Sequence, residues 1–222
     1  MRRRSLLQVY LCTMGIAAGF VTYRTGITTT NRFSIDLLLF IALLLANNRR
    51  SIETESGAFS LNYPLLLPVM AFHGPLMGAL VAVVGAIQLD ELKQPFPVVV
   101  HNRGTIALSA LASGIAFNGI YARYGFTLAV AVSALTYLVG NAVFFAIAKL
   151  IYMLTTDMRD GFLDDIFEVL KTLPASAALG AVFYYTYVYF SVYGLVVSYM
   201  FLLALRSQAL FGLIDTTYRL AL

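Results

Sequence analysis

Residues 60–87 read SLNYPLLLPVMAFHGPLMGALVAVVGAI, an apolar run broken near its middle by His73-Gly74-Pro75. As one straight helix this run would reach about 42 Å at 1.5 Å per residue, well beyond the roughly 30 Å hydrocarbon core of a bilayer. Pro75 lacks an amide hydrogen and clashes with a preceding helical turn, while Gly74 frees the backbone for a reversal. The expectation is therefore two short helices meeting in a tight turn. Short, Gly/Pro-interrupted helices at membrane depth are places where ligand sites are built.

Composition agrees with a membrane setting. Of 222 residues, 60% are hydrophobic and only 12% charged, and the mean hydropathy is +0.81, more apolar surface than a soluble chain of this size can cover. The net charge of +4 does not point to nucleic acid, because the basic residues lie at helix ends without a patch of interleaved aromatics. The one cysteine, Cys12, precludes an intramolecular disulfide and the clustered spacing of a zinc site.

Cutting the chain at its breakers leaves eight hydrophobic pieces: Leu6 to Tyr23, Ser34 to Ala46, Leu61 to Phe72, Leu76 to Leu89, Thr105 to Tyr121, Phe126 to Leu150, Ala175 to Phe190, and Gly194 to about Gly212. Arg2-Arg3-Arg4 and the first piece imitate a signal peptide, but the run is long and no A-x-A site follows, so a retained helix is expected. If the third and fourth pieces form a re-entrant hairpin, six helices cross instead of eight, and both counts are even. With the N-terminus cytoplasmic, all basic residues except Arg24, Arg32 and Arg123 fall on the inner side, as the positive-inside rule requires.

The long polar stretch from Asp157 to Leu173 carries apolar residues at helical spacing and reads as an amphipathic helix on the cytoplasmic surface. Its acids read as a solvated face rather than a metal site, since no His or Cys accompanies them. Beyond Arg206 the polarity is mixed, and a helix leaving the membrane is expected. The domain reading is thus a transmembrane helical domain over 1–205 and a cytoplasmic C-terminal helix over 206–222.

Gly15 and Gly19 form a GxxxG face, where helix backbones can approach closely. That face serves either packing within the bundle or the docking of a partner protein.

Polar groups inside hydrocarbon are expensive, so their placement is the main functional clue. Asp36 is the acid within an expected span, near the outer end of the second helix. The same topology brings His73, Asn118, Tyr121, Tyr184, Tyr185, Tyr187, Tyr189 and Tyr193 to the outer half, with Arg24, Arg32 and Arg123 at the rim. One reading is an interfacial tyrosine belt with Asp36 paired to Arg32 at i, i+4. The other is a small-solute pocket opening outward, with Asp36, His73, Asn118, Tyr121, Tyr184 and Tyr185 as its ligand-binding residues. On the inner side, Asn102 is expected to cap the fifth helix and Arg103 to reach phosphate head groups. Two histidines expected on opposite sides argue against a histidine metal centre. The chain carries no G-x-S-x-G elbow, no H-E-x-x-H and no P-loop, so neither an enzyme nor a cofactor is expected.

The blocks Gly57-Ala58-Phe59-Ser60-Leu61-Asn62-Tyr63-Pro64, His73-Gly74-Pro75-Leu76-Met77-Gly78-Ala79-Leu80, and Val100-His101-Asn102-Arg103-Gly104 leading into Leu108 to Gly114 carry a resemblance. In order and spacing they resemble the multi-helix membrane sensor region that precedes bacterial HD-GYP phosphodiesterase and GGDEF cyclase domains. The GP-containing pair also resembles the substrate-binding S components of energy-coupling-factor vitamin transporters, in which small residues of the first helix dock the energising module. Both resemblances imply a small molecule bound toward the outer side. The chain has no HD, GYP or GGDEF motif of its own, so the sensor resemblance implies a cytoplasmic signalling domain beyond Leu222 or in a partner.

The expectation is thus an all-α, polytopic transmembrane bundle of six to eight hydrophobic helices with both termini cytoplasmic, in a bacterial inner membrane. Its expected role is a signal-input domain that binds a small ligand and relays through its C-terminal helix. The alternative is a transporter subunit of the S-component kind. Expected partners are membrane lipid, a small-molecule ligand, and a signalling domain or energising module.

Overall fold

The apolar pieces of the sequence coincide over most of their lengths with helices in the computed structural model, which describes residues 2–48, 52–54, 57–59, 62–88, 91–156 and 171–220. The described helices are α1 (Arg2–Gly26), α2 (Asp36–Asn48), α3 (Asn62–Phe72), α4 (Pro75–Gly85), α5 (Phe96–Tyr124), α6 (Phe126–Thr156) and α7 (Leu173–Leu220). One short antiparallel hairpin, β1 (Ile52–Thr54) with β2 (Gly57–Phe59), pairs Glu53 with Ala58. The amphipathic helix expected from Asp157 lies outside the described residues up to position 170.

Among the described residues, three segments are long and apolar enough to cross a membrane: Phe96–Tyr124, Phe126–Leu150 and Leu173–Ala204. The third is two arms rather than one rod. Ser191 has φ 51° and ψ −139° inside α7, and Ser198 Oγ donates to Thr186 Oγ1 at 3.0 Å. Twelve residues of straight helix would separate those groups by about 18 Å, so the arm after Ser191 folds back along the arm before it.

The run that opened the sequence reading forms the hairpin α3–α4 at the centre of the molecule. Every residue of α3 from Asn62 to Met70 is buried, as expected of a helix that is apolar on all sides. It is enclosed by α2, α4, α5, α6 and the first arm of α7. Tyr63 Oη reaches across to the Val130 carbonyl of α6 at 3.0 Å. At the end remote from the α3–α4 turn, Asn47 Nδ2 donates to Asn62 Oδ1 at 3.2 Å and Asn48 Nδ2 to the Gly85 carbonyl at 3.1 Å. These pairs satisfy groups that hydrocarbon would leave unsatisfied.

Three expectations change. Gly15 does not offer a docking face: a Cβ there would run into the Val100 carbonyl and lie 2.8 Å from the His101 nitrogen, because α1 crosses α5 at Gly15 and Gly104. Gly19 is different, with nothing within 4 Å of its missing Cβ. Helix α5 begins at Phe96, behind an N-cap at Pro95, so Asn102 lies a turn and a half inside the helix and caps nothing. Arg103 does not reach for head groups. Its guanidinium forks onto the Glu91 carboxylate, with Nε to Oε1 at 3.0 Å, and Nη1 donates to the Val83 carbonyl at 3.1 Å. Arg103 thereby ties α5 to the end of α4, through Val83, and to the connection between them, through Glu91.

Candidate functional site

The site starts from the turn. Gly74 adopts φ 100°, a left-handed conformation that glycine takes without penalty. A side chain there would also meet the Thr30 carbonyl and, at 2.8 Å, Asn31 Oδ1. The loop between α1 and α2 presses on the turn for a reason visible in its hydrogen bonds. Asn31 Oδ1 accepts the Leu76 amide at 3.1 Å, capping α4 from outside, and the Arg32 amide donates to the His73 carbonyl at 2.7 Å.

Above the turn, three elements meet in one hydrogen-bonded chain. Tyr187 of α7 donates its hydroxyl hydrogen to Asp36 Oδ2 of α2 at 2.8 Å, and His73 Nε2 lies 3.2 Å from the Tyr187 hydroxyl oxygen. Tyr187 Oη has a single hydrogen; once that is given to Asp36, the oxygen accepts from His73, whose Nε2 then carries the proton. Asp36 therefore bonds to a residue far along the chain and makes no ion pair with Arg32. His73 is 6% exposed.

Aromatic rings surround this chain. Phe40 meets the edges of His73 and Tyr187, with centroids 6.3 and 5.5 Å away. Phe72 stacks on Tyr184 at 5.0 Å. Tyr184 and Tyr185 both pack on Phe126, at 4.5 and 4.7 Å, and Tyr121 stacks on Phe117 at 5.5 Å. Of the residues expected together in the outer half, His73, Tyr121, Tyr184, Tyr185, Tyr187 and Tyr189 thus share one cluster of rings at one end of the bundle, whereas Tyr193 stands 83% exposed outside it.

A pocket of about 210 Å3 opens beside it, lined by Thr30, Arg32, Ala71, Phe72, Gly74 and Asn118. Of the six expected ligand-binding residues, Asn118 alone lines the pocket. Asp36 and His73 lie behind its wall as the hydrogen-bonded support. Tyr184 is buried behind Phe72, and Tyr121 and Tyr185 are roughly half exposed on the outside of the cluster. Arg32 is legible in the sequence as a rim cation, whereas Thr30 and Phe72 carry no such signal and Tyr187 stands only as one tyrosine among several. The signal Phe72 does carry is its place directly before the His73-Gly74-Pro75 turn.

A larger apolar groove of about 500 Å3 runs between α5 and α6 along Leu108, Ala112, Leu135, Val139 and Phe144. It is a different surface, set midway along both helices. Among the described residues, no group of three or more His, Cys, Asp or Glu side chains could hold a metal ion.

No protein-family model matches the chain, no curated protein matches it, and no solved structure matches its fold.

Proposed function

We propose that this chain is a membrane signal-input domain that binds a small solute at the α3–α4 turn and passes the event on through α7. In this reading it lies in a bacterial inner membrane, with both termini in the cytoplasm and the pocket facing outward. One observation carries the reading. Tyr187, which joins Asp36 and His73 beside the pocket, stands four residues before the Ser191 break, and its neighbour Thr186 holds the returning arm through Ser198. A solute that moves the turn pulls on Tyr187, and the pull falls on the hinge between the two arms. The arms then have two arrangements that a ligand can bias, which is what relay by population shift requires.

A disulfide reporter tests this. In a Cys12→Ser background, Thr186→Cys with Ser198→Cys places two thiols across the arms. Their oxidation rate is expected to change severalfold when a solute from a panel of organic acids, amines and sugars is added, and Tyr187→Phe should abolish the change. A rate that responds to no solute, together with native mass spectra showing no retained small molecule, would refute the reading.

A second reading, a solute-binding transporter subunit of the S-component kind, draws on one observation: the open surface of α1 at Gly19, where an energising module has room to pack closely. It expects an ATP-hydrolysing partner to copurify and Gly19→Leu to release it. The signal-input reading expects neither.

A further inference from the structure

We infer that the pocket at the α3–α4 turn takes a small organic anion, a monocarboxylate with a short apolar body. This rests on the solute-binding role proposed above and specifies its chemistry.

Three residues with polar side chains line the pocket: Thr30, Arg32 and Asn118. Among the described residues none of the three makes a side-chain hydrogen bond or ion pair, whereas Asn31, His73, Asp36 and Tyr187 around them are all engaged. Hydrogen-bonding capacity facing the pocket is thus left over for something else. Arg32 is the charged member, and its planar fork matches a carboxylate or phosphate. No acid lines the pocket. The nearby acid, Asp36, is hydrogen-bonded to Tyr187 behind the wall, so an ammonium group would meet Arg32 with no counter-charge. That excludes amines and disfavours zwitterionic amino acids, even though the face of Phe72 could attract a cation. Helix α4 strengthens the preference: its N-cap, Gly74, is part of the lining, and a helix N-terminus carries partial positive charge.

Size and wall decide the rest. Pockets for drug-sized ligands hold about 300–1,000 Å3, and this one holds about 210 Å3, too little for a nucleotide or a large vitamin. Phe72 and Ala71 add apolar surface to the lining, which suits a carboxylate carrying a few carbons better than bare phosphate. The anion has two available sources, a free solute or a lipid head group, and the test separates them.

The experiment is thermal unfolding of the whole chain in a neutral detergent with propionate, benzoate and inorganic phosphate, each carboxylate being matched by its neutral amide. The carboxylates are expected to raise the midpoint at millimolar concentration and the amides to leave it unchanged. Arg32→Gln should weaken the apparent affinity at least tenfold, with Arg32→Lys intermediate and Asn118→Ala a smaller loss. Arg32 is exposed and its side chain unpartnered, so these variants are expected to fold. Stabilisation by an anionic lipid such as phosphatidylglycerol, dependent on Arg32 and absent for the soluble carboxylates, would keep the anion chemistry and assign its source to the head group. Equal stabilisation by the amides, or a carboxylate shift untouched by Arg32→Gln, would overturn the anion inference while leaving solute binding in place. Silence across all solutes and lipids would overturn both.

Discussion

Gly74 and His73 are neighbours in sequence with opposite relations to their surroundings. Gly74 is there because nothing else fits: its φ of 100° and the Thr30 carbonyl both stand against a Cβ. Gly74→Ala is therefore expected to cost about 2 kcal/mol or more, given that a strained backbone conformation alone costs about 1–3 kcal/mol. The checkable sign is a lowered unfolding midpoint that Thr30→Ala does not restore, because the clash is with backbone. His73 is held by a side-chain partner instead: its Nε2 meets the Tyr187 hydroxyl, which Asp36 engages from the other side. His73→Ala leaves that hydroxyl without its second partner and should cost about 1–3 kcal/mol, as for a buried polar group that loses its hydrogen bond, read as a lowered unfolding midpoint. A midpoint equal to that of the parent would show that the bond carries none of the stability.

Helices α1 and α5 show what can be read from an element alone and what cannot. The sequence marked Gly15 and Gly19 as a surface for close approach, and close approach is what Gly15 makes, with α5 as the neighbour. The partner was not legible because small residues say that a backbone comes near without saying whose. The start of α5 was misplaced for a related reason. Val98-Val99-Val100 before His101-Asn102-Arg103 resembles an apolar approach to a polar cap, but Pro95 and Pro97 already suit the first turn of a helix. The polar trio is then carried inside, where Arg103 finds Glu91. By contrast, the eight apolar pieces were legible, including the division of the last two around Ser191, because length and breakers report on them directly. A contrast between two substitutions follows: Gly15→Val forces α1 and α5 apart and should lower the unfolding midpoint sharply. Gly19→Val, with nothing within 4 Å, should leave it within about 0.5 kcal/mol of the parent, as for surface positions in general. Equal effects would mean that α1 does not cross α5 at Gly15.

For the whole molecule, the consequential fact is a mismatch in helix length. Helices α2, α3 and α4 have 13, 11 and 11 residues while α5 has 29, so the short helices stop well inside the reach of the long ones. Asn118 lines the pocket six residues before the end of α5 at Tyr124, which recesses the pocket by about 9 Å from that end at 1.5 Å per residue. On the proposed membrane reading the site sits near the border of water and hydrocarbon, where Arg32 would be only partly screened and would act more strongly than on an open surface. The direction of each helix puts Arg24, Arg32 and Arg123 at the pocket end and Arg2, Arg3, Arg4, Lys93, Arg103, Lys149 and Lys171 at the other. Basic residues are retained preferentially on the cytoplasmic side, and the heavier share lies away from the pocket. In a Cys12→Ser background, Arg123→Cys should then react with a membrane-impermeant maleimide on intact cells, and Lys93→Cys only after lysis. Both side chains are exposed, so a failure to label reports the side of the membrane rather than burial. The reverse pattern would turn the pocket toward the cytoplasm: the anion would then be an internal metabolite, and the relay through α7 would have to run outward.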